Sequence, residues 1–141
     1  MVGSSVDRTR SGAARTVITP PVGYPMGNWG LRQGVAKGIH RDIHARAVVF
    51  ERYGMFLAIV SMEIAGLTSE TVQAIKARIF QVAGIPVDNI LLNFTHNHTS
   101  PDTIISLPRE WITWSTWLAD QVAGVVFNAV NQAMPANVGS G

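Results

Sequence analysis

Apolar residues recur along the chain with two different periods, and the change of period marks its elements. Ala14-Arg15-Thr16-Val17-Ile18-Thr19 has β-branched character and reads as a first strand, ended by Pro20-Pro21. Ala45 to Arg52, centred on Val48, Val49 and Phe50, reads as a second. Met55-Phe56-Leu57-Ala58-Ile59-Val60 is apolar without a break and reads as a third, with Arg52-Tyr53-Gly54 as the turn of an antiparallel hairpin. A strand apolar throughout is expected inside a sheet covered on both faces. The period then lengthens. Thr68 or Ser69 is a helix N-cap, Val72, Ile75, Ile79 and Val82 fall on one stripe, and Gly84 and Pro86 end the helix. Strand 55–62, helix 70–83 and strand 89–95 predict a β-α-β unit with parallel strands and a right-handed crossover. Glu110 to Ala133 reads as a long helix stopped by Pro135, and Asn137 to Gly141 as the start of another strand.

The fold class is therefore α/β: a mixed sheet with a β-α-β unit and flanking helices. Residues 1–12, rich in Ser, Gly and Arg, read as a flexible leader, and 13–141 as one unit. A glycine- and proline-rich loop, 20–38, separates the first two strands. Its glycines fit neither the dinucleotide nor the Walker pattern. Tyr24, Met26, Trp29 and Leu31 argue that this loop packs onto something. Trp111, Trp114 and Trp117 stand three apart on the last helix. Packing within or between domains is the expected use, a lipid-facing surface the alternative.

Composition changes the picture in one respect. Hydrophobic residues make up 47% of the 141 and charged ones only 14%, which is apolar for so small a domain. Some faces are expected to be covered, by more of the same protein rather than by self-association. With the missing hydrophobic return after Pro135, this reads as an incomplete piece of a larger domain. The net charge of +2 comes from scattered residues, with no basic stripe interleaved with aromatics, so nucleic-acid binding has no support. The chain has no cysteine, which leaves a metal site only His, Asp, Glu, Tyr or water. No apolar run has the length of a transmembrane helix, and no secretory signal is visible, so the compartment stays open.

The chemistry concentrates in Asn93-Phe94-Thr95-His96-Asn97-His98-Thr99-Ser100-Pro101-Asp102. In an extended chain, residues i and i+2 point the same way, so His96 and His98 are expected to aim at one point past the strand end. That suits two metal ligands, or one ligand and one proton-transfer group. The alternative is a pair that merely bonds to loop backbone. Ligands in open α/β sheets bind outside the carboxyl ends of the strands, where Glu63 also falls. Glu63 and Asp102 are candidates to orient a metal-bound histidine, although Asp102 after a proline also suits a turn. His40 sits at a loop end and is expected to border the site. His44 reads as a surface residue beside a strand. Arg46 is expected to pair with Asp42 or Glu63.

Several segments together resemble the N-terminal region of the neutral/alkaline ceramidase family. They are Ile18-Thr19-Pro20-Pro21-Val22-Gly23, Gly38-Ile39-His40 with Ala45-Arg46-Ala47, Ile59-Val60-Ser61-Met62-Glu63, and Thr95-His96-Asn97-His98-Thr99-Ser100-Pro101-Asp102-Thr103. Members are zinc amidases that hydrolyse the N-acyl bond of ceramide. The resemblance implies that His96 is a zinc ligand and that His98 is the catalytic neighbour, contacting substrate or the developing oxyanion. It implies a lipid amide substrate, peripheral membrane contact, further zinc ligands downstream, and a secreted or periplasmic setting. The family usually has Asp where Glu63 stands, and often Ser then a small residue where Thr99 and Ser100 stand. Another metal-dependent hydrolase, or a non-catalytic domain keeping the fold, are the rival expectations.

Overall fold

The computed structural model describes residues 9–27, 32, 34–103 and 112–139, the side chains of 112 and 113 excepted. A sheet in the order β4-β3-β2-β1-β5 carries two helices. Its strands are β1 (Arg10–Val17), β2 (His44–Arg52), β3 (Met55–Met62), β4 (Ile90–Phe94) and the two-residue β5 (Met134–Pro135), and its helices α1 (Ser69–Ala83) and α2 (Ile112–Asn131). β3 and β4 run parallel around α1, and every other pairing is antiparallel. The expected α/β mixed sheet with flanking helices is what the chain forms.

Local chemistry accounts for most of these boundaries. Thr68 caps α1 by accepting the Thr71 amide, and Gly84, left-handed at φ 71°, closes it with its own amide on Phe80 O. The β2–β3 hairpin turns on two residues, Tyr53 at φ 54° and Gly54 at φ 76°. Two positive φ angles match the twist of paired strands, which is why such short loops favour glycine.

Alternation splits the sheet into two unlike faces. Ala45, Ala47 and Val49 of β2, Ala58, Val60 and Met62 of β3, and Ile90 of β4 are buried on the inner face. There they form one core with Ile75 and Ile79 of α1 and with Leu118, Val122, Val125, Val126 and Ala129 of α2. α2 lies across β1 and β2 and against α1. Small residues let it come close. A Cβ added to Gly12 would stand 2.0 Å from Ala129 O and 2.8 Å from Ala133 N.

Four expectations need correction. β3 lies inside the sheet but is covered on one face only among the described residues. Leu57 of β3 and Leu91 of β4 are 45% and 57% exposed on the other face, because both helices share the inner one. The first strand begins at Arg10, within the stretch read as a leader, because pairing of Arg10 to Glu51 extends it. The late strand is Met134–Pro135 rather than 137–141: Met134 pairs with Ser11, whereas 136–139 have no strand structure. His44 is half-buried inside β2, not a surface residue beside it. The tryptophans do not share one environment. Trp114 is buried with its ring 5.2 Å from Tyr24, while Trp117 is 38% exposed. Three residues fall about 60° short of a full turn, so such a row drifts off any one face. Trp111, Trp29 and Leu31 lie outside the described residues.

Candidate functional site

The His-x-His segment follows β4 directly. After Phe94 the chain keeps beside the extension of β3: the Thr95 amide donates to Met62 O at 3.0 Å and the His96 amide to Ile64 O at 3.1 Å. His96 itself turns left-handed, at φ 59°. Asn97 then brackets the turn with its side chain, Oδ1 accepting from the Thr99 amide at 2.9 Å and the Thr99 hydroxyl at 2.7 Å. The two imidazoles do converge, with ring centroids 4.7 Å apart and planes at 83°. The cause is not the one expected from an extended strand. The strand ends at Phe94, and a left-handed residue plus an Asn-bracketed turn brings the rings together.

His96 Nδ1 is 2.8 Å from the carbonyl oxygen of Ala65, on the loop after β3. A carbonyl only accepts, so Nδ1 carries the hydrogen and the neutral ring keeps its lone pair on Nε2. That loop is pinned in turn. Ser100, fully buried, accepts the Ala65 amide on Oγ at 3.2 Å and donates to Asn97 O at 2.7 Å. The buried Thr103 hydroxyl donates to Gly66 O. Ser100 and Thr103 fall in the segment the sequence singles out but carry no assigned role there, and Ala65 does not stand out at all. A backbone carbonyl has no side-chain signature, and a buried serine looks like any other.

The orienting candidates are placed as follows. Glu63 receives the Arg46 guanidinium at 2.6 Å and the His44 amide at 2.8 Å. The expected Arg46–Glu63 pair is therefore formed, and it joins the ends of β2 and β3. Burial alone would raise the Glu63 carboxyl. The Arg46 hydrogen bond, the His44 amide and the charge of Arg46 outweigh it and hold the group below 4.5. The contact that holds His96 Nδ1 is the Ala65 carbonyl. Asp102 is buried, with its amide on Pro25 O at 2.9 Å. Its carboxylate lies so close under Gly27 that an added Cβ would meet Oδ2 at 2.3 Å. Bridges Pro25–Val35 and Met26–Pro101 fold the glycine-rich segment onto the histidine loop. Tyr24 in that segment is fully buried, and burial followed by the nearby Asp102 charge pushes its hydroxyl up to about 12. His40 lines a cleft of about 1020 Å³ beside the histidine loop, together with Lys37, Glu63, Thr95, Asn97 and Thr99. Neither His96 nor His98 is among its lining residues. Arg32 closes on the loop from the same side, donating to His98 O at 3.0 Å.

A catalytic zinc takes three protein ligands and leaves one position open. Among the described residues, no three His, Asp or Glu side chains stand together to hold a metal ion. His96 has the tautomer of a metal-ligating histidine, with Nδ1–H on a carbonyl and Nε2 bearing the lone pair. The described residues thus fit one corner of such a site.

No protein-family model matches the chain, and no curated protein matches it in sequence. Solved structures do. Neutral ceramidase from Pseudomonas aeruginosa matches 92% of this chain with a TM-score of 0.76 at 21% identity. A ceramidase complexed with C2 matches the same share with a TM-score of 0.75, also at 21%. The chain has the neutral ceramidase fold. It spans 22% of the length of each of those two proteins. The resemblance carried by separated sequence segments therefore holds for the backbone that joins them.

Proposed function

We propose that this chain is the N-terminal part of the catalytic domain of a zinc-dependent amide hydrolase. Its substrate in this reading is ceramide or a related lipid amide, cut at the N-acyl bond. The observation that carries the proposal is the pairing of His96 and His98, 4.7 Å apart on a loop at the carboxyl end of a parallel strand, in a neutral ceramidase fold. Nε2 of His96 is the zinc ligand. When bound, zinc lowers the pKa of a coordinated water to about 7 and polarises an amide carbonyl. His98, edge-on to His96, passes a proton to the leaving amine or donates to the developing oxyanion through a ring nitrogen. Arg46, Glu63 and His44 keep the strand ends in register behind the loop, and His40 borders the neighbouring cleft. The remaining zinc ligands lie outside the described residues, in polypeptide beyond these 141. That polypeptide packs on this piece, and the substrate is drawn from a membrane or micelle by peripheral contact.

The test is zinc content and hydrolysis of a ceramide analogue, measured on the polypeptide at its natural full length and again with His96→Asn. Stoichiometric zinc and turnover are expected, both lost in the variant. Zinc without lipid-amide turnover would move the reading to a metal-dependent hydrolase of another substrate. A folded protein without zinc would overturn the catalytic reading. It would leave a non-catalytic domain keeping the fold.

A further inference from the structure

The hydroxyl of Ser100 sits at the centre of a closed set of contacts around His96. It is fully buried. It accepts the Ala65 amide at 3.2 Å and donates to Asn97 O at 2.7 Å. A hydroxyl has one hydrogen, and the shorter contact takes it, since the Pro101 carbonyl lies at 3.5 Å. The other side of the Ala65 residue holds the ring, its carbonyl oxygen 2.8 Å from His96 Nδ1. Asn97, whose carbonyl receives the Ser100 hydrogen, is the residue after His96. One small side chain therefore ties down both the residue that bonds the imidazole and the backbone that carries it.

We propose that Ser100 is a positioning residue that selects the Nδ1–H tautomer of His96 by fixing Ala65. This rests on His96 being the ligating ring, and it adds a cause for the ring's state before any metal arrives. A neutral imidazole exchanges between two tautomers, and the hydrogen bond made by one nitrogen decides which the other becomes. The Ala65 carbonyl imposes that choice only while it stays in line with Nδ1. Ala65 lies on a connection between β3 and α1, outside any ladder. Its own amide is satisfied by Ser100 rather than by a strand partner. Without the hydroxyl, the buried Ala65 amide loses its acceptor, and the backbone at Ala65 is free to rotate about its Cα toward another. The carbonyl on its far side then leaves the ring. A bare methyl at position 100 fills the space but makes neither bond.

The tautomer is read by nitrogen NMR on the metal-free polypeptide at its natural full length with labelled histidine, at a pH where the ring is neutral. In the unaltered chain, His96 is expected to show a protonated Nδ1 and a lone-pair Nε2, as two well-separated nitrogen resonances. In Ser100→Ala they are expected to move toward each other as the second tautomer becomes populated. Thr99→Ala, which removes the hydroxyl contact to Asn97 but none to Ala65, should leave them apart. Three results would each overturn the proposal: a protonated Nε2 in the unaltered chain, an unchanged His96 in folded Ser100→Ala, or an equal shift in Thr99→Ala. If Ser100→Ala does not fold, Ser100→Cys is read in its place, since sulfur fills the site but is a weaker acceptor. No metal, substrate or turnover enters the measurement. Failure here therefore leaves the hydrolase reading standing, and failure of that reading is reported separately, by zinc content and turnover.

Discussion

Glu63 shows what a single side chain does behind the loop. Its carboxylate joins Arg46 and the His44 amide, and its own amide returns to His44 O at 3.0 Å. Its folded value lies below the ordinary 4.5 although burial pulls the other way. A depressed carboxylate stabilises the fold above the unfolded value, and that contribution disappears as pH falls through the folded value. Urea midpoints of the unaltered chain and Glu63→Gln should therefore differ at neutral pH, with the variant weaker. The gap should narrow as pH falls through the depressed folded value; a gap of constant size across the acid range would mean the carboxylate is not its source. His96 carries a different lesson. At φ 59° it sits where asparagine is tolerated and alanine costs about 1 kcal/mol, so His96→Asn separates loss of the ring from loss of the turn. At this scale the sequence was informative where chemistry lies in a side chain, as with His96, His98 and the Arg46–Glu63 pair. It was silent where chemistry lies in a peptide group, as with Ala65.

Between elements, α2 comes close to β1, and Gly12 is the condition of that approach. Backbone atoms of Ala129 and Ala133 occupy the place of a side chain there, so nothing flexible is available to yield. Gly12→Ala must push the helix away from the sheet, and overpacking of this kind costs about 1–3 kcal/mol. Chemical denaturation should show that loss, while a substitution at exposed Ala13 next to it should not. Elements with their own signals were legible in advance: the capped α1, the Tyr53-Gly54 hairpin and the parallel β3–β4 pair. The start of β1 and all of β5 were not. Ser11-Gly12-Ala13 has little strand preference, and Met134–Pro135 is too short for any period. Both become strand because a neighbour pairs with them, and that information sits elsewhere in the chain.

The molecule as a whole is one-sided. Opposite the helices, two rows of the sheet are apolar: Phe50 beside Leu57, then Val48, Ile59 and Leu91 with Ala13. The next row, Arg15, Arg46, Ser61 and Asn93, is polar and lies toward the histidine loop. An apolar face left uncovered among the described residues drives association. Light scattering should show the 141-residue chain growing into larger species with concentration. Leu57→Lys with Leu91→Lys should suppress this without unfolding, because both side chains are already exposed. Equal scattering from both proteins would count against the face as the cause. The apolar run in β3 could not reveal this one-sidedness, because a run without alternation reads as buried twice. Only the placement of both helices on one side decides it. A plate greasy on one side and wet on the other is, physically, a surfactant. At an air bubble or an oil droplet it settles with the bare sheet toward the apolar phase, so foams and surface films are to be expected wherever this chain is stirred.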